Sequence, residues 1–290
     1  MFATQALLSD RFADNGRTGT PVGRLLKPLI RRISDTFRRS KTARNERESC
    51  PLCKENQTYA IAEKDRHGIP VPTQVCKSCG LVFSGLCMTV DFAAAYYQND
   101  AHLFKATDAT VDELFQRRIA PDSYAWSRHR FVKKTLGSDY DKIRTVVELG
   151  CGDGCNLYPY HQDGKKVIGF DLDQNRFAAG QRTGLDLRVG GVDYFALSGI
   201  RTDLVILSHV LEHMHDVDQT LGTIRDGLSG NTYLYIEVPG IEGLIKPMDE
   251  FSGVDGYQTS NDLLGYLQFE HNFCFDLSTL TAFAERNGLK

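Results

Sequence analysis

The chain has 290 residues, is 41% hydrophobic and carries a net charge of −3, enough to bury a large core and to divide into one large domain plus a smaller one or a tail. Residues 1–49 hold 11 Lys and Arg against 5 Asp and Glu, leaving 23 against 32 elsewhere, so the basic character belongs to the leader alone. No run approaches the roughly 18 uncharged apolar residues of a membrane-spanning helix, and no signal-peptide pattern is present. Eight cysteines are too few for a disulfide scaffold in a chain this long, and a soluble, cytoplasmic protein is expected.

In chain order, residues 1–49 form a basic leader, disordered over 1–20. Between Val22 and Arg39, Leu25, Leu26, Leu29, Ile30, Ile33 and Phe37 recur at three- and four-residue steps with arginines between them, a basic amphipathic helix. The readings that stay open for it are attraction to an anionic membrane surface, or an ordinary helix that docks on its own protein or stays loose. Residues 50–91 read as a small metal-held module with short β-type runs such as Gln57–Ile61. Residues 92–144 read as a helical, aromatic-rich linker. From Thr145 to Lys290 apolar runs alternate with amphipathic stretches, predicting βα units and a parallel sheet. The strands are expected at Thr145–Leu149, Lys166–Phe170, Leu187–Val189, Asp203–Ser208 and Thr232–Val238. Helices are expected at Cys155–Gln162, Gln174–Thr183, Val217–Gly227 and Leu277–Asn287.

Cys50-x-x-Cys53 and Cys76-x-x-Cys79 are two knuckles with 22 residues between them. Four thiolates so paired satisfy a tetrahedral ion, and zinc is the usual occupant; a closed four-cysteine site has no open position, which makes it structural. A knuckle can also bind RNA, but Lys54, Lys64, Arg66 and Lys77 are interleaved with Glu55, Glu63 and Asp65, so no basic face for a nucleic acid is evident.

In Glu148-Leu149-Gly150-Cys151-Gly152-Asp153-Gly154 a strand runs into a glycine-rich turn that opens a helix, and Asp171 closes the next strand about twenty residues later, where a carboxylate can accept from a ribose diol. A nicotinamide dinucleotide would use the same fold, but its loop normally reads G-x-G-x-x-G. These residues resemble motif I of the class I S-adenosylmethionine (SAM)-dependent methyltransferases, and the resemblance covers the chain from Thr145 onward. It implies a Rossmann-like α/β fold and SAM as cofactor. Glu148, Gly150, Gly152 and Gly154 would line the methionine and ribose end, and Asp171 would hold the ribose hydroxyls. Asp193, beyond the third strand, would contact the adenine, and Ser208 and His209, in the stretch Asp203–His213, would neighbour the methionine end. His213 reads as a histidine hydrogen-bonded at a helix start.

The knuckle module, Ala95-Tyr96-Tyr97 and Gln268-Phe269-Glu270-His271-Asn272-Phe273 together resemble the sugar and nucleotide-sugar C-methyltransferases. That likeness implies a small carbohydrate acceptor, with C-methylation preferred slightly over O-methylation. It further implies His271 as the base that deprotonates the carbon beside a keto group, Glu270 assisting it, and Tyr96 and Tyr97 at the acceptor. It also leads to the expectation of a seven-stranded sheet, of which five strands are readable before Lys290. The rival readings are a non-catalytic SAM-binding scaffold whose zinc module recruits a partner, and an RNA-directed methyltransferase.

Overall fold

The computed structural model describes residues 28–36, 40, 42–99, 110–228, 230–241, 245–247, 257–259 and 263–290. The chain divides into two units: one takes residues 107–211 and 218–237, the other residues 2–106, 212–217 and 238–290.

In the first unit the five apolar runs become β1 (Thr145–Leu149), β2 (Lys166–Asp171), β3 (Asp186–Val189), β4 (Leu204–Ser208) and β5 (Tyr233–Glu237). They form one parallel sheet in the order β3-β2-β1-β4-β5. β4 is buried along its whole length and β1 from Val146 onward. That explains why they read as continuous Val, Leu and Ile runs without alternation: a parallel sheet is covered on both faces. The order reverses between β1 and β4, and ligands of open α/β sheets bind beyond the carboxyl ends at such a switch point.

Helix α1 (Val111–Ile119) starts at Thr110, whose hydroxyl and the Glu113 carboxylate cap each other's backbone N–H groups. After it comes α2 (Tyr124–Leu136). Phe115 and Ile119 of α1 and Val132 of α2 pack with Val146, Leu157, Tyr160 and Leu204. The stretch read as a linker therefore supplies part of this unit's core. The helix expected from Cys155 begins only at Tyr158, because the turn out of β1 runs that far. The helix expected over Gln174–Thr183 splits into a 3-10 turn, Gln174–Arg176, and a short helix, Ala178–Arg182. Val192–Leu197 is helical without having been anticipated, since six residues are too few to show a period.

The second unit holds a four-stranded antiparallel sheet in the order Phe273–Cys274, Val82–Ser84, Thr73–Cys76, Thr58–Ala62. Phe273 stands opposite Phe83 and Cys274 opposite Val82. The wholly buried strand Val82–Ser84 would otherwise present unpaired backbone groups on that side. Residues 50–91 and the end of the chain thus share one sheet, whereas the sequence division gives them to different domains.

Residues 28–36 are helical, and Leu29 and Ile33 are buried among Ile69, Val71, Met88, Tyr96 and Phe269. The docking reading of the basic helix holds for these residues: side chains packed in the protein's own core cannot enter a membrane surface. Leu25, Leu26 and Phe37, and the stretch 1–20, lie outside the described residues. No helix among the described residues is long and apolar enough to cross a membrane.

Candidate active site

The turn after β1 needs its glycines. Gly150, Gly152 and Gly154 have φ of 72°, 55° and 80°, the left-handed region where a side chain is strained. Space is short as well: a Cβ on Gly150 would stand 2.5 Å from Cγ2 of Val210, and one on Gly152 would stand 2.6 Å from Nη2 of Arg176. The tight approach is thus made by the chain's own side chains. The loop is tied to β2 where the N–H groups of Gly150 and Cys151 donate to the Phe170 carbonyl at 2.7 and 3.0 Å. Asp171 locks it further, its Oδ2 accepting from Gly152 N at 2.7 Å and its Oδ1 from Asp173 N at 2.9 Å. Arg118 of α1 pairs with Asp153 of the same loop.

Glu148 is 1% exposed. Its Oε1 accepts from Asn156 Nδ2 at 2.7 Å, while its Oε2 is buried without a hydrogen-bond partner among the described residues. Burial pushes its carboxyl up to about 8, against the pull of Asn156 and Arg128. A buried oxygen left open costs on the order of 1–3 kcal/mol, and a cationic or N–H group placed there would relieve it.

At the ends of β4 and β5 a second network surrounds Glu237. Arg128 grips it with two nitrogens, Nη2 at 2.9 Å, and Ser208 Oγ donates to it at 3.1 Å. Arg128 also donates to Asn156 Oδ1 at 3.2 Å, joining Glu237 to Glu148. Burial works to raise Glu237, but His209 and Arg128 outweigh it and hold the carboxyl at about 2. His209 has φ of 56°, a strain of about 1–3 kcal/mol for a residue with a side chain, and its exposed ring stands 3.7 Å from Glu237 Oε1. Ser208, expected beside the cofactor, spends its hydroxyl on Glu237. Asp193 lies exposed in the first turn of Val192–Leu197.

In the second unit another set of side chains converges. The Tyr96 hydroxyl donates to Glu270 Oε1, and both side chains are buried. The Tyr97 hydroxyl lies 3.1 Å from Nδ1 of His213, which is also 3.1 Å from the Glu270 carbonyl oxygen. The rings of His213 and His271 meet edge to face at 4.9 Å. Burial, with Glu270 and Glu212 nearby, pushes the Tyr97 phenol well above its usual range and keeps it protonated. His271 and Glu270, though consecutive, face different partners, and the tyrosines join the cluster through their hydroxyls. His213 and Glu212 are the members that sequence reasoning did not bring here. Their signal was the short stretch Leu211-Glu212-His213 after β4, too brief to separate a ligand-facing turn from a helix start.

The four paired cysteines also come together in the second unit, their sulfurs within 4.8 Å of one another. Cys50 Sγ lies 3.5 Å from Cys79 Sγ, and Cys53 Sγ lies 3.4 Å from Cys76 Sγ. Four zinc–sulfur bonds of about 2.3 Å in a tetrahedron would set such edges near 3.8 Å, so the donor set fits that ion. Each knuckle closes on a left-handed residue, Lys54 (φ 67°) and Gly80 (φ 75°). Their N–H groups return to the carbonyls of Cys50 at 2.9 Å and Cys76 at 3.0 Å.

Comparison with known proteins adds the following. Residues 100–290 match the family model described as "Methyltransferase domain". Over 103 residues the chain is 29% identical to a "probable S-adenosylmethionine-dependent methyltransferase" of Mycolicibacterium smegmatis (strain ATCC 700084 / mc(2)155), a match covering 35% of this chain and 40% of that protein. The chain therefore spans about two-fifths of the length of that curated relative. Among solved structures, a SAM-dependent methyltransferase from Archaeoglobus fulgidus is 18% identical, with 61% of this chain and 73% of that one covered at a TM-score of 0.45. The sugar N-methyltransferase KedS8 from Streptoalloteichus sp. ATCC 53650 is also 18% identical, with 50% and 60% covered at 0.39.

Proposed function

The chain belongs to the methyltransferase-domain family, and from that premise we propose that it is a SAM-dependent enzyme that methylates a small carbohydrate acceptor, with carbon preferred slightly over oxygen as the atom modified. The observation that carries the cofactor assignment is the glycine loop closed by Asp171 with the open oxygen of Glu148 beneath it. In this reading the carboxylate of Asp171 accepts from the ribose hydroxyls, Glu148 meets the α-ammonium, and the turn of Gly150, Gly152 and Gly154 lines the same end of the ligand. Arg176, whose guanidinium lies against Gly152, is placed to meet an α-carboxylate. Asp193, Ser208 and His209 remain candidates for the adenine and methionine ends.

Methyl transfer to carbon needs a base and an in-line approach. In this reading His271 would take the proton from the carbon beside a keto group, and SAM, when bound, would supply the methyl group. Glu270, held by Tyr96, and Tyr97, held against His213, keep the surroundings of the base in place. The sequence likeness to sugar C-methyltransferases supports the acceptor class, and the imidazole-rich cluster supports proton abstraction. For the four cysteines we propose a structural zinc ion.

Titration calorimetry of the zinc-loaded chain with S-adenosylhomocysteine tests the cofactor site. Binding is expected for the wild type and a loss of about 100-fold for Asp171→Ala, the equivalent of about 3 kcal/mol. Equal binding by the two would sink the assignment. With binding established, a panel of nucleotide-linked keto-sugars tests the acceptor. Undiminished biological function in a His271→Ala, Glu270→Ala double variant would favour a scaffold instead.

A further inference from the structure

Glu212, His213 and His271 each bring one ligand atom, a carboxylate oxygen or an imidazole nitrogen, to within 4.8 Å of the other two. We propose that these three side chains form a binding site for one divalent transition-metal ion, distinct from the four-cysteine site. Two imidazoles and a carboxylate are a donor set that suits ions such as Zn²⁺, Co²⁺ or Fe²⁺.

The spacing is that of ligands and not of a hydrogen-bonded pair. Nε2 of His213 lies 3.8 Å from Oε1 of Glu212, beyond hydrogen-bond reach. Two atoms bound to one ion at about 2.0–2.2 Å each stand about 3–4 Å apart, so an ion draws the set inward only slightly.

The imidazole is also oriented for coordination. Nδ1 of His213 lies 3.1 Å from the Glu270 carbonyl oxygen and 3.1 Å from the Tyr97 hydroxyl; in the tautomer that donates to the carbonyl, Nε2 carries the lone pair. A ligating histidine regularly has its other ring N–H held in this way. Asn272 clamps the two segments that carry the donors. Its N–H donates to the Glu212 carbonyl at 2.7 Å, and its side-chain amide donates to the carbonyls of His213 at 2.8 Å and Met214 at 3.1 Å. His271 precedes Asn272 directly, so the same clamp holds the third donor.

Burial supplies the last argument. Glu212 is 1% exposed, and a carboxylate held away from water interacts more strongly with a cation than one in solvent. The partly exposed rings of His213 and His271 give an ion its way in. Three protein donors leave at least one coordination position for water or another small ligand. An ion here occupies a ring nitrogen of His271 and competes with proton transfer at that residue, so metal uptake and the proposed base are separate properties of one side chain.

The test is a Co²⁺ titration of the full-length chain already loaded with zinc at its cysteines, followed by visible absorption and equilibrium dialysis. One Co²⁺ per chain is expected beyond the cysteine-bound ion, with weak visible bands and no thiolate charge-transfer band. Its Kd should rise at least tenfold in Glu212→Gln and in His271→Ala. The absence of this extra ion in the wild type, or unchanged uptake in both variants, overturns the proposal. If a variant fails to fold, cobalt-edge X-ray absorption of the wild type decides: a nitrogen and oxygen shell with imidazole scattering supports the site, and sulfur in the shell overturns it. No methyl transfer is read, so failure here leaves the proposed role of His271 as a base standing, and failure of that role leaves the metal site standing.

Discussion

The glycine loop and the histidine cluster reach their geometry in opposite ways. Glu148, Gly150, Gly152 and Gly154 are a single turn of chain, and Asp171 joins them because β1 pairs with β2 up to Phe170, the residue before it. The cluster in the second unit gathers Tyr96 and Tyr97, Glu212 and His213, and Glu270 and His271 from three separate stretches of chain. A site of the first kind is fixed by one strand and its turn, while a site of the second kind depends on the sheet, the clamp and the buried hydroxyls that hold it. Disturbing the second unit's framework should therefore harm the cluster and spare the loop.

The strongest challenge to that contrast is removal of metal. A structural zinc contributes about 10 kcal/mol or more to the folding of its domain near neutral pH. Chelation is expected to erase hydrogen-exchange protection at Cys76, Val82 and Phe83 while Val147 and Ile168 keep theirs. Loss at both sets would show that the units do not fold independently.

Tyr96→Phe is a milder test. It removes a donor from the buried Glu270 carboxylate, a change worth about 1–3 kcal/mol. The urea midpoint should fall while affinity for S-adenosylhomocysteine stays the same.

In the loop the expected effect is a pH dependence. Glu148 is raised by burial from 4.5 to about 8, so the folded chain holds a proton there that the unfolded chain has released. Its contribution to stability is fully present below about 4.5 and is lost as pH rises to about 8. Cofactor affinity should move the other way, strengthening as pH approaches 8, because the ammonium favours the ionised carboxylate. Glu148→Gln should flatten both profiles, and profiles unchanged by it would mean that another group titrates.

The smallest change is expected at the knuckles. Lys54 adopts φ of 67°, and Lys54→Gly should stabilise the second unit by about 0.5–1 kcal/mol as read by thermal unfolding. A loss would mean that the bond from Lys54 Nζ to the Pro51 carbonyl, at 2.8 Å, outweighs the backbone strain.

The sequence by itself determined the five strands of the parallel sheet, the glycine turn with its acidic partner, and the two cysteine pairs. Each is written locally: a buried parallel strand must be a continuous apolar run, a left-handed turn must be glycine, and a knuckle needs two cysteines at fixed spacing. Only the tertiary structure decided that Phe273–Cys274 completes the sheet beside Val82–Ser84, that Leu29 and Ile33 are buried in the protein's own core, and that Glu212 and His213 meet His271. No short stretch of chain encodes these outcomes. An edge strand of two residues has no period, an amphipathic helix has the same pattern whether it meets protein or lipid, and three ligand atoms converge only when distant backbone segments are clamped together.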